Sequence, residues 1–193
     1  MITLKSKQEI ELMRRAGAIT AAARALAGEM VTPGVTTQEI DKAVYHFMKS
    51  KGAIPSFLNY HGYPGSVCIS VNDEVIHGIP GKRVLQDGDI VSIDVGAYID
   101  GFHGDCAATF ACGTISDEAK RLIEVTRQSF YEGMKFAREG YRVPDISRAI
   151  QTYVEENGFS IVREYVGHGI GRQLHESPEV PNYVMGRERP RLS

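Results

Sequence analysis

An Asp100-Gly101 pair near the middle of the chain lies between two apolar runs that are rich in β-branched residues. Asp-Gly is a strong sequence signal for a two-residue β-hairpin turn, because such a turn requires positive φ angles that these residues tolerate. A turn at this position pairs Gly96 with Asp105 and Asp94 with Ala107 across the two strands. The sequence therefore predicts an antiparallel hairpin with a defined register.

This register brings two acidic side chains, Asp94 and Asp105, onto one face of the hairpin. They become diagonal neighbours with β-carbons roughly 7–8 Å apart, which suits two metal ions held ~3.5–4 Å from each other. Two acids on an apolar hairpin are costly without a cation, so a metal site is favoured over structural aspartates in a turn cap and a salt bridge. His103 shares their face but lies near the turn, where we expect it to be solvated. Asp100 is expected to serve only the turn.

Three histidines lie in segments that could aim them at such a site. His168 lies in the glycine-rich segment 167–171, and glycines allow unusual dihedral angles and close backbone approach. His175 follows in the next few residues, and His77 is expected at a strand end beside glycine. Each could be an ordinary core or surface histidine. Together with the acidic hairpin they favour a site for Mn, Fe, Co or Zn, since all these ions accept imidazole and carboxylate ligands.

Composition narrows the class of protein and its partners. The 22 basic and 24 acidic residues nearly balance, which gives no sign of a nucleic acid or membrane partner. Three cysteines without a CxxC pair argue against a disulfide framework and a zinc ribbon. The sequence has no apolar stretch of transmembrane length, and its N-terminus lacks the apolar core of a signal peptide. We therefore expect a cytoplasmic protein.

The order helix, helix, strands occurs twice along the chain. Capping signals and apolar periodicity predict helices over about 6–28, 36–52, 116–138 and 144–157, with strands between 54 and 110. The two halves share a pattern that places Gly34 on Gly140, Ile40 on Ile146, Ala43 on Ala149 and Gly52 on Gly158. Chance similarity between amphipathic helices is the alternative. We expect one α+β domain, 1–193, built from pseudo-repeat halves of about 1–112 and 113–193, the second lacking its last strands.

Taken together, these motifs resemble those of the type I methionine aminopeptidases, which have the pita-bread fold. The likeness covers essentially the whole chain, in the family's order and spacing. The matching segments are residues 59–64, 66–72, 75–80, 87–95, 100–105, 167–171 and 174–176. The resemblance implies two pseudo-symmetric halves around a curved antiparallel sheet, and metal-dependent hydrolytic removal of N-terminal methionine.

The resemblance also implies a role for individual residues. Metal ligands would be Asp94, Asp105 and His168, with Asp105 holding both ions. His77 would contact the scissile amide and His175 would stabilise the carbonyl oxygen as it becomes tetrahedral. The methionine pocket would be lined by Tyr60, Tyr63 and Cys68, with Phe57 at a position where some members carry another cysteine. Sulfur–aromatic contacts make such a pocket suitable for a thioether.

The implied cofactors are two divalent ions (Mn, Fe, Co or Zn) that activate a water molecule for attack on the peptide bond. The implied substrates are peptides and nascent chains that begin with methionine. The enzyme would be a monomer and would act on nascent chains near the ribosome. A requirement for the free α-amino group would make the enzyme an exopeptidase.

The sequence departs from this family in one respect. Two glutamate ligands, one of which also shuttles a proton, normally follow the segment at 190–193, so we expect this 193-residue chain to be weakly folded or inactive. Two alternatives stay open. The first is an X-Pro aminopeptidase or prolidase. Those enzymes usually carry a large N-terminal domain before the catalytic one, whereas here the catalytic pattern starts at once. The second is a metal-free binding module of the same fold. Such a protein would be expected to lose ligand residues, whereas this chain keeps Asp94, Asp105 and His168.

Overall fold

The computed structural model describes residues 2–186 and 191–192. Four helices are found close to the predicted positions: α1 Lys7–Glu29, α2 Thr37–Ser50, α3 Asp117–Met134 and α4 Val143–Glu156. Six strands accompany them: β1 Ile54–Pro55, β2 Val67–Val71, β3 Ile90–Ile99, β4 Phe102–Ala111, β5 Gly167–Gly169 and β6 Glu176–Val180. The order is two helices followed by strands, then again two helices followed by strands, as the sequence predicts.

The predicted capping boxes fix the starts of the first two helices. At α1, the Ser6 side chain accepts the backbone N–H of Glu9, and the Glu9 carboxylate accepts the backbone N–H of Ser6. Thr36 and Glu39 repeat both hydrogen bonds at the start of α2. These pairs satisfy N–H groups that would otherwise lack a partner in the first turn. The helix starts predicted from these residues are confirmed.

The third helix is shorter than predicted, because it ends at Met134 rather than near Arg138. After Gly133 the backbone hydrogen bonds span three residues instead of four. The Phe136 N–H donates to the Gly133 carbonyl, and the Ala137 N–H donates to the Met134 carbonyl. Such bonds belong to tight turns rather than to an α-helix. Apolar periodicity alone does not reveal this change, since Phe136 and Ala137 continue the helical pattern.

The central hairpin has the predicted register. Strands β3 and β4 pair antiparallel through Gly96 with Asp105 and Asp94 with Ala107. Along its other edge, β3 pairs with β1 and β2, and Cys68 lies opposite Asp94. The hairpin prediction is therefore confirmed, and β3 is the strand that all the others in this sheet contact.

The chain divides into two compact units. The first unit comprises Thr3–Asp117 together with Ile170–Leu174. The second is built on Glu118–Gly169 and continues from His175. Its small sheet pairs β5 with β6, and the Ser147 hydroxyl on α4 donates to the Pro181 carbonyl at 2.6 Å.

The core of the first unit lies between its helices and its sheet. Two small residues on α1, Ala16 and Thr20, let the helix approach Gly104 on β4 closely. A β-carbon at Gly104 would lie 2.6 Å from the Thr20 hydroxyl and 2.8 Å from the backbone of Ala16. Larger apolar side chains fill the space between α2 and the sheet. These include Ile40, Val44, Met48, Val67, Ile69, Val91, Ile93 and Val95.

The two units repeat one local arrangement. Gly34 before α2 and Gly140 before α4 both have positive φ, 94° and 90°, and each donates its N–H to a leucine carbonyl, of Leu85 and Leu192. The glycines that follow the two helices, Gly52 and Gly158, also have positive φ. This likeness supports the pseudo-repeat. The proposed halves, 1–112 and 113–193, stay a prediction.

None of the helices found in the described residues combines the length and the apolar character that crossing a membrane requires.

We predict that Gly104→Ala destabilises the protein by about 1–3 kcal/mol, because the added methyl group would push α1 away from β4. Gly17→Ala, on α1 itself, is the control, since a β-carbon there meets nothing within 4 Å. Alanine is a better helix former than glycine, so this control should be neutral or stabilising by up to ~1 kcal/mol. Urea unfolding measures both, and equal midpoints would contradict the close approach.

Candidate functional site

The two acidic side chains predicted to share a face do meet. Asp94 on β3 and Asp105 on β4 are half-buried, and their carboxyl groups form a hydrogen bond with each other. Two carboxyl groups can bond in this way only when one of them keeps a proton. The hairpin register and the buried sheet face therefore hold two acids closer together than their charges favour.

Burial and mutual repulsion raise the pKa of this pair. Loss of solvent contact is the largest cause for Asp94, followed by the charge of Asp105, and together they raise the pKa of Asp94 to about 7. The nearby His77 opposes part of this rise. Burial likewise raises the pKa of Asp105. A cation would replace the shared proton and remove the repulsion, so the carboxylate pair fits a metal ion.

His77 lies in a loop rather than at the end of a strand, which corrects the sequence-based expectation. Its φ angle is +59°, in the left-handed region. The next residue, Gly78, lies against β2: a β-carbon there would be 2.1 Å from the carbonyl oxygen of Ile69. This close approach explains why glycine follows His77. Alternating apolar residues in 75–79 suggested a strand, but the segment has no ladder of strand hydrogen bonds.

A small apolar cluster lies next to the carboxylates. Phe57, Cys68 and Leu174 are buried together, with Tyr63 and Ile170 packed against them; we call these five residues the Cys68 cluster. Cys68 lies directly opposite Asp94 in the sheet, so the two side chains leave the sheet on the same face. The cluster thus forms an apolar neighbour to the acidic pair.

The Cys68 thiol stays protonated in this setting. Burial, followed by the charges of Asp94 and Asp105, raises the pKa of Cys68 to about 11, although a hydrogen bond with Tyr63 opposes the rise. Burial raises the pKa of Tyr63 as well. Both groups are neutral near pH 7, so this wall can contact an apolar side chain. Tyr60 is 38% exposed and packs edge-on against His61, at 4.4 Å between ring centroids.

The remaining predicted histidines belong to the second unit. His168 lies on β5, and its ring lies 4.2 Å from that of His175. The Nδ1 atom of His168 is 2.9 Å from the Gly169 carbonyl oxygen, so Nδ1 carries the proton and Nε2 has the lone pair that a metal would bind. Close backbone approach occurs at both flanking glycines: β-carbons at Gly167 and Gly169 would lie within 3 Å of carbonyl oxygens of β6 or the residues beside it.

Two residues beside the hairpin turn have partners that the sequence did not reveal. His103 is half-buried rather than solvated: its Nδ1 atom is 2.9 Å from the Ser56 hydroxyl, and its ring lies 4.6 Å from that of Tyr98. Asp100 has a positive φ of 53°, as the turn requires, and also accepts a hydrogen bond from Arg15 at 2.6 Å. Neither contact involves the carboxylate pair.

Within residues 2–186 and 191–192, no three His, Cys, Asp or Glu side chains converge as a metal-binding group. Ligation of a metal ion by Asp94, Asp105 and His168 therefore stays a prediction.

Sequence reasoning did not assign Ile170 and Leu174 to the pocket, although both lie in the segment that carries the histidines. Their spacing of four residues around glycines gave no helix or strand pattern. They pack instead on Phe57 and Cys68 from a distant part of the chain.

The sequence profile of metallopeptidase family M24 matches residues 11–192. A curated relative, methionine aminopeptidase 1 of Bacillus subtilis (strain 168), is 52% identical over 192 residues, covering 100% of this chain and 77% of its own length. The methionine aminopeptidase of Clostridium perfringens (strain 13 / Type A) is 53% identical over 192 residues, again with 100% and 77% coverage. The chain belongs to metallopeptidase family M24. Within that family it groups with the methionine aminopeptidases.

Solved structures support the same placement of this M24 chain. The methionine aminopeptidase of Rickettsia prowazekii matches with a TM-score of 0.97 and 39% identity, covering 100% of this chain and 78% of that one. The prolidase of Pyrococcus furiosus matches with a TM-score of 0.85, 24% identity and coverage of 98% and 54%, which shows a shared fold alone. The predicted pita-bread fold is confirmed, and membership of a metallopeptidase family implies use of divalent metal.

We predict that the metal-free protein loses stability as the pH rises from about 4 through about 7. The folded state keeps a proton on Asp94, with a pKa of about 7 against an ordinary value of 3.8, after the unfolded chain has released it. Asp105→Asn removes the repulsion and should raise the free energy of unfolding at pH 7.5 by about 1–2 kcal/mol.

Urea unfolding in a chelator at several pH values measures this effect. Asp73→Asn, at an exposed aspartate after β2, is the control and should leave the pH dependence unchanged. A pH dependence that neither Asp94→Asn nor Asp105→Asn reduces would show that the carboxylate pair is not its origin.

Proposed function

We propose that this chain hydrolyses the first peptide bond of peptides that begin with methionine, with two divalent metal ions as cofactors. The observation that carries the proposal is the half-buried Asp94–Asp105 pair, which needs a cation and lies beside the apolar Cys68 cluster. Two relatives that are 52% and 53% identical to this chain are named methionine aminopeptidases, which supports the same activity.

Three residues would hold the ions. Asp94 and Asp105 provide carboxylate oxygens, and His168 provides Nε2, the nitrogen left as an acceptor by the contact of Nδ1 with the Gly169 carbonyl. When bound, divalent cations would supply Lewis acid character and lower the pKa of a water molecule at neutral pH. Oxygen and nitrogen ligands accept Mn, Fe, Co and Zn, so the ligands do not select among these metals.

The methionine side chain would lie against the Cys68 cluster. The neutral thiol of Cys68 and the ring of Tyr63 offer a polarizable, apolar surface, and Phe57 adds a second aromatic ring. Sulfur–aromatic contacts with a thioether are favourable by about 0.3–1.5 kcal/mol. Tyr60 would close the pocket from the loop at its rim. An N-terminal residue with a charged side chain would lose solvation here without gaining a partner.

Two histidines would act on the scissile peptide. His77 would hydrogen-bond the amide group and orient it. His175 would donate a hydrogen bond to the carbonyl oxygen as that oxygen gains negative charge, which stabilises the transition state more than the substrate. The ring of His168, 4.2 Å away, limits how the His175 ring can turn.

We propose further that the protein acts in the cytoplasm on nascent chains near the ribosome, as a monomer. The near balance of 22 basic and 24 acidic residues favours no nucleic acid partner. The need for two more glutamate ligands also stays a prediction, since the relatives are longer and this chain spans 77% of the Bacillus subtilis protein.

We predict that methionine is released from a Met-Ala-Ser peptide in the presence of Mn²⁺ when the chain carries the additional C-terminal segment of the Bacillus subtilis relative, and that an Ala-Pro peptide is not cleaved. A metal-only sample and a chelator-treated sample are the controls. A second sample is the 193-residue chain alone, which we expect to be inactive, and release of methionine by this sample would contradict that expectation. Cleavage of Ala-Pro in preference to Met-Ala-Ser would instead favour the X-Pro class.

His175→Ala should lower kcat by roughly 10²–10³ without changing metal content, because its role is confined to the transition state. Asp105→Asn should abolish binding of two ions. Metal analysis of the purified variants, alongside peptide kinetics, separates the two roles. Loss of metal in His175→Ala, or two ions retained in Asp105→Asn, would contradict the assignment.

A further inference from the structure

The hydroxyl group of Tyr63 contacts two carbonyl groups from different segments. It lies 2.8 Å from the Gly78 carbonyl oxygen and 3.0 Å from the Val67 carbonyl oxygen, and its single proton is shared between these two acceptors. Val67 begins strand β2, whereas Gly78 belongs to the loop that carries His77. One hydroxyl therefore connects strand β2 to the loop that carries His77.

The loop at Gly78 depends on a small number of contacts. Its carbonyl also accepts the Ile69 N–H at 2.9 Å, and its N–H donates to the Ser70 hydroxyl at 3.1 Å. The preceding residue, His77, has a φ of +59°, in the left-handed region that is strained for a residue with a β-carbon. A conformation of this kind persists only where neighbouring contacts hold it. The Tyr63 hydroxyl, which bonds to the residue directly after His77, is one of the groups that can do so.

The Tyr63 side of the bridge is itself fixed. The backbone of Tyr63 makes two hydrogen bonds: its N–H donates to the Tyr60 carbonyl, and its carbonyl accepts the Asn59 N–H. The start of β2 is held from α2, because one Asp41 carboxylate oxygen accepts the N–H groups of Ser66 at 2.6 Å and Val67 at 3.2 Å. A firmly held tyrosine can therefore transmit the position of β2 to the Gly78 loop.

We propose that Tyr63 is a positioning residue for His77, which it places through the hydrogen bond of its hydroxyl to the Gly78 carbonyl. This inference rests on the proposed aminopeptidase function and adds to the pocket-lining role of Tyr63. Lining a pocket needs only the aromatic ring, whereas positioning His77 needs the hydroxyl. Removing the oxygen alone therefore separates the two roles.

Tyr63→Phe keeps the ring in the Cys68 cluster and removes the bridge. We expect kcat on Met-Ala-Ser to fall by roughly tenfold, since a displaced contact to the scissile amide costs rate, while KM changes less than about twofold. Tyr45→Phe is the matched control: Tyr45 is a half-buried tyrosine on α2, outside the site, and its loss of a hydroxyl should leave both constants unchanged.

A double-mutant cycle tests whether the effect passes through His77. In a His77→Ala background, Tyr63→Phe should cause no further loss of kcat, because the residue that it places is already absent. An equal tenfold loss in both backgrounds would overturn the proposal. So would an unchanged kcat for Tyr63→Phe in the otherwise native protein.

Amide hydrogen exchange provides a readout that needs no activity. In Tyr63→Phe we expect at least tenfold faster exchange at Ile69 and Gly78, whose N–H groups bond within the bridged region. The Val71 N–H, which donates to Glu74, should be unaffected. If neither the 193-residue chain nor the chain with the additional C-terminal segment releases methionine, the proposed function fails, and the exchange result alone decides whether the hydroxyl holds this loop. Unchanged exchange at both amides would overturn the proposal.

Discussion

The proximity of two half-buried carboxyl groups, Asp94 and Asp105, is the constraint on which the rest of the site depends. Unfavourable on its own, it is imposed by a two-residue turn, ten residue pairs between β3 and β4, and the packing of α1 against β4. Stability from the apolar core thus maintains an arrangement that charge repulsion would otherwise separate. A cation turns the same arrangement from a cost into a binding site.

Much of this could be predicted from the sequence because the signals were local. The Asp100-Gly101 turn sets the register of the hairpin, and the Ser6 and Thr36 capping boxes set two helix starts. The end of α3 was wrong by a few residues, since a change to tight turns after Gly133 leaves no mark on apolar periodicity. Local chemistry predicts where elements begin more reliably than where they end.

The contacts that could not be predicted join residues far apart in sequence. His103 bonds to Ser56, Asp41 holds the start of β2, and Tyr63 reaches the loop after His77. Each is a side-chain hydrogen bond whose partner depends on how two elements pack. The resemblance to the family suggested that Tyr63 lines the pocket, but it did not indicate what the hydroxyl does. Positions within a recognised motif can therefore carry a second role.

The pocket wall is assembled from stretches of chain that the ribosome makes at very different times. Ile170 and Leu174 belong to the first unit, although about fifty residues of the second unit precede them. Phe57 and Cys68 thus lack two of their apolar partners, Ile170 and Leu174, until that segment has been synthesised. Even a nascent chain with a finished hairpin exposes these side chains to water. The Cys68 cluster can therefore be completed only late in biosynthesis, after most of the second unit has been made.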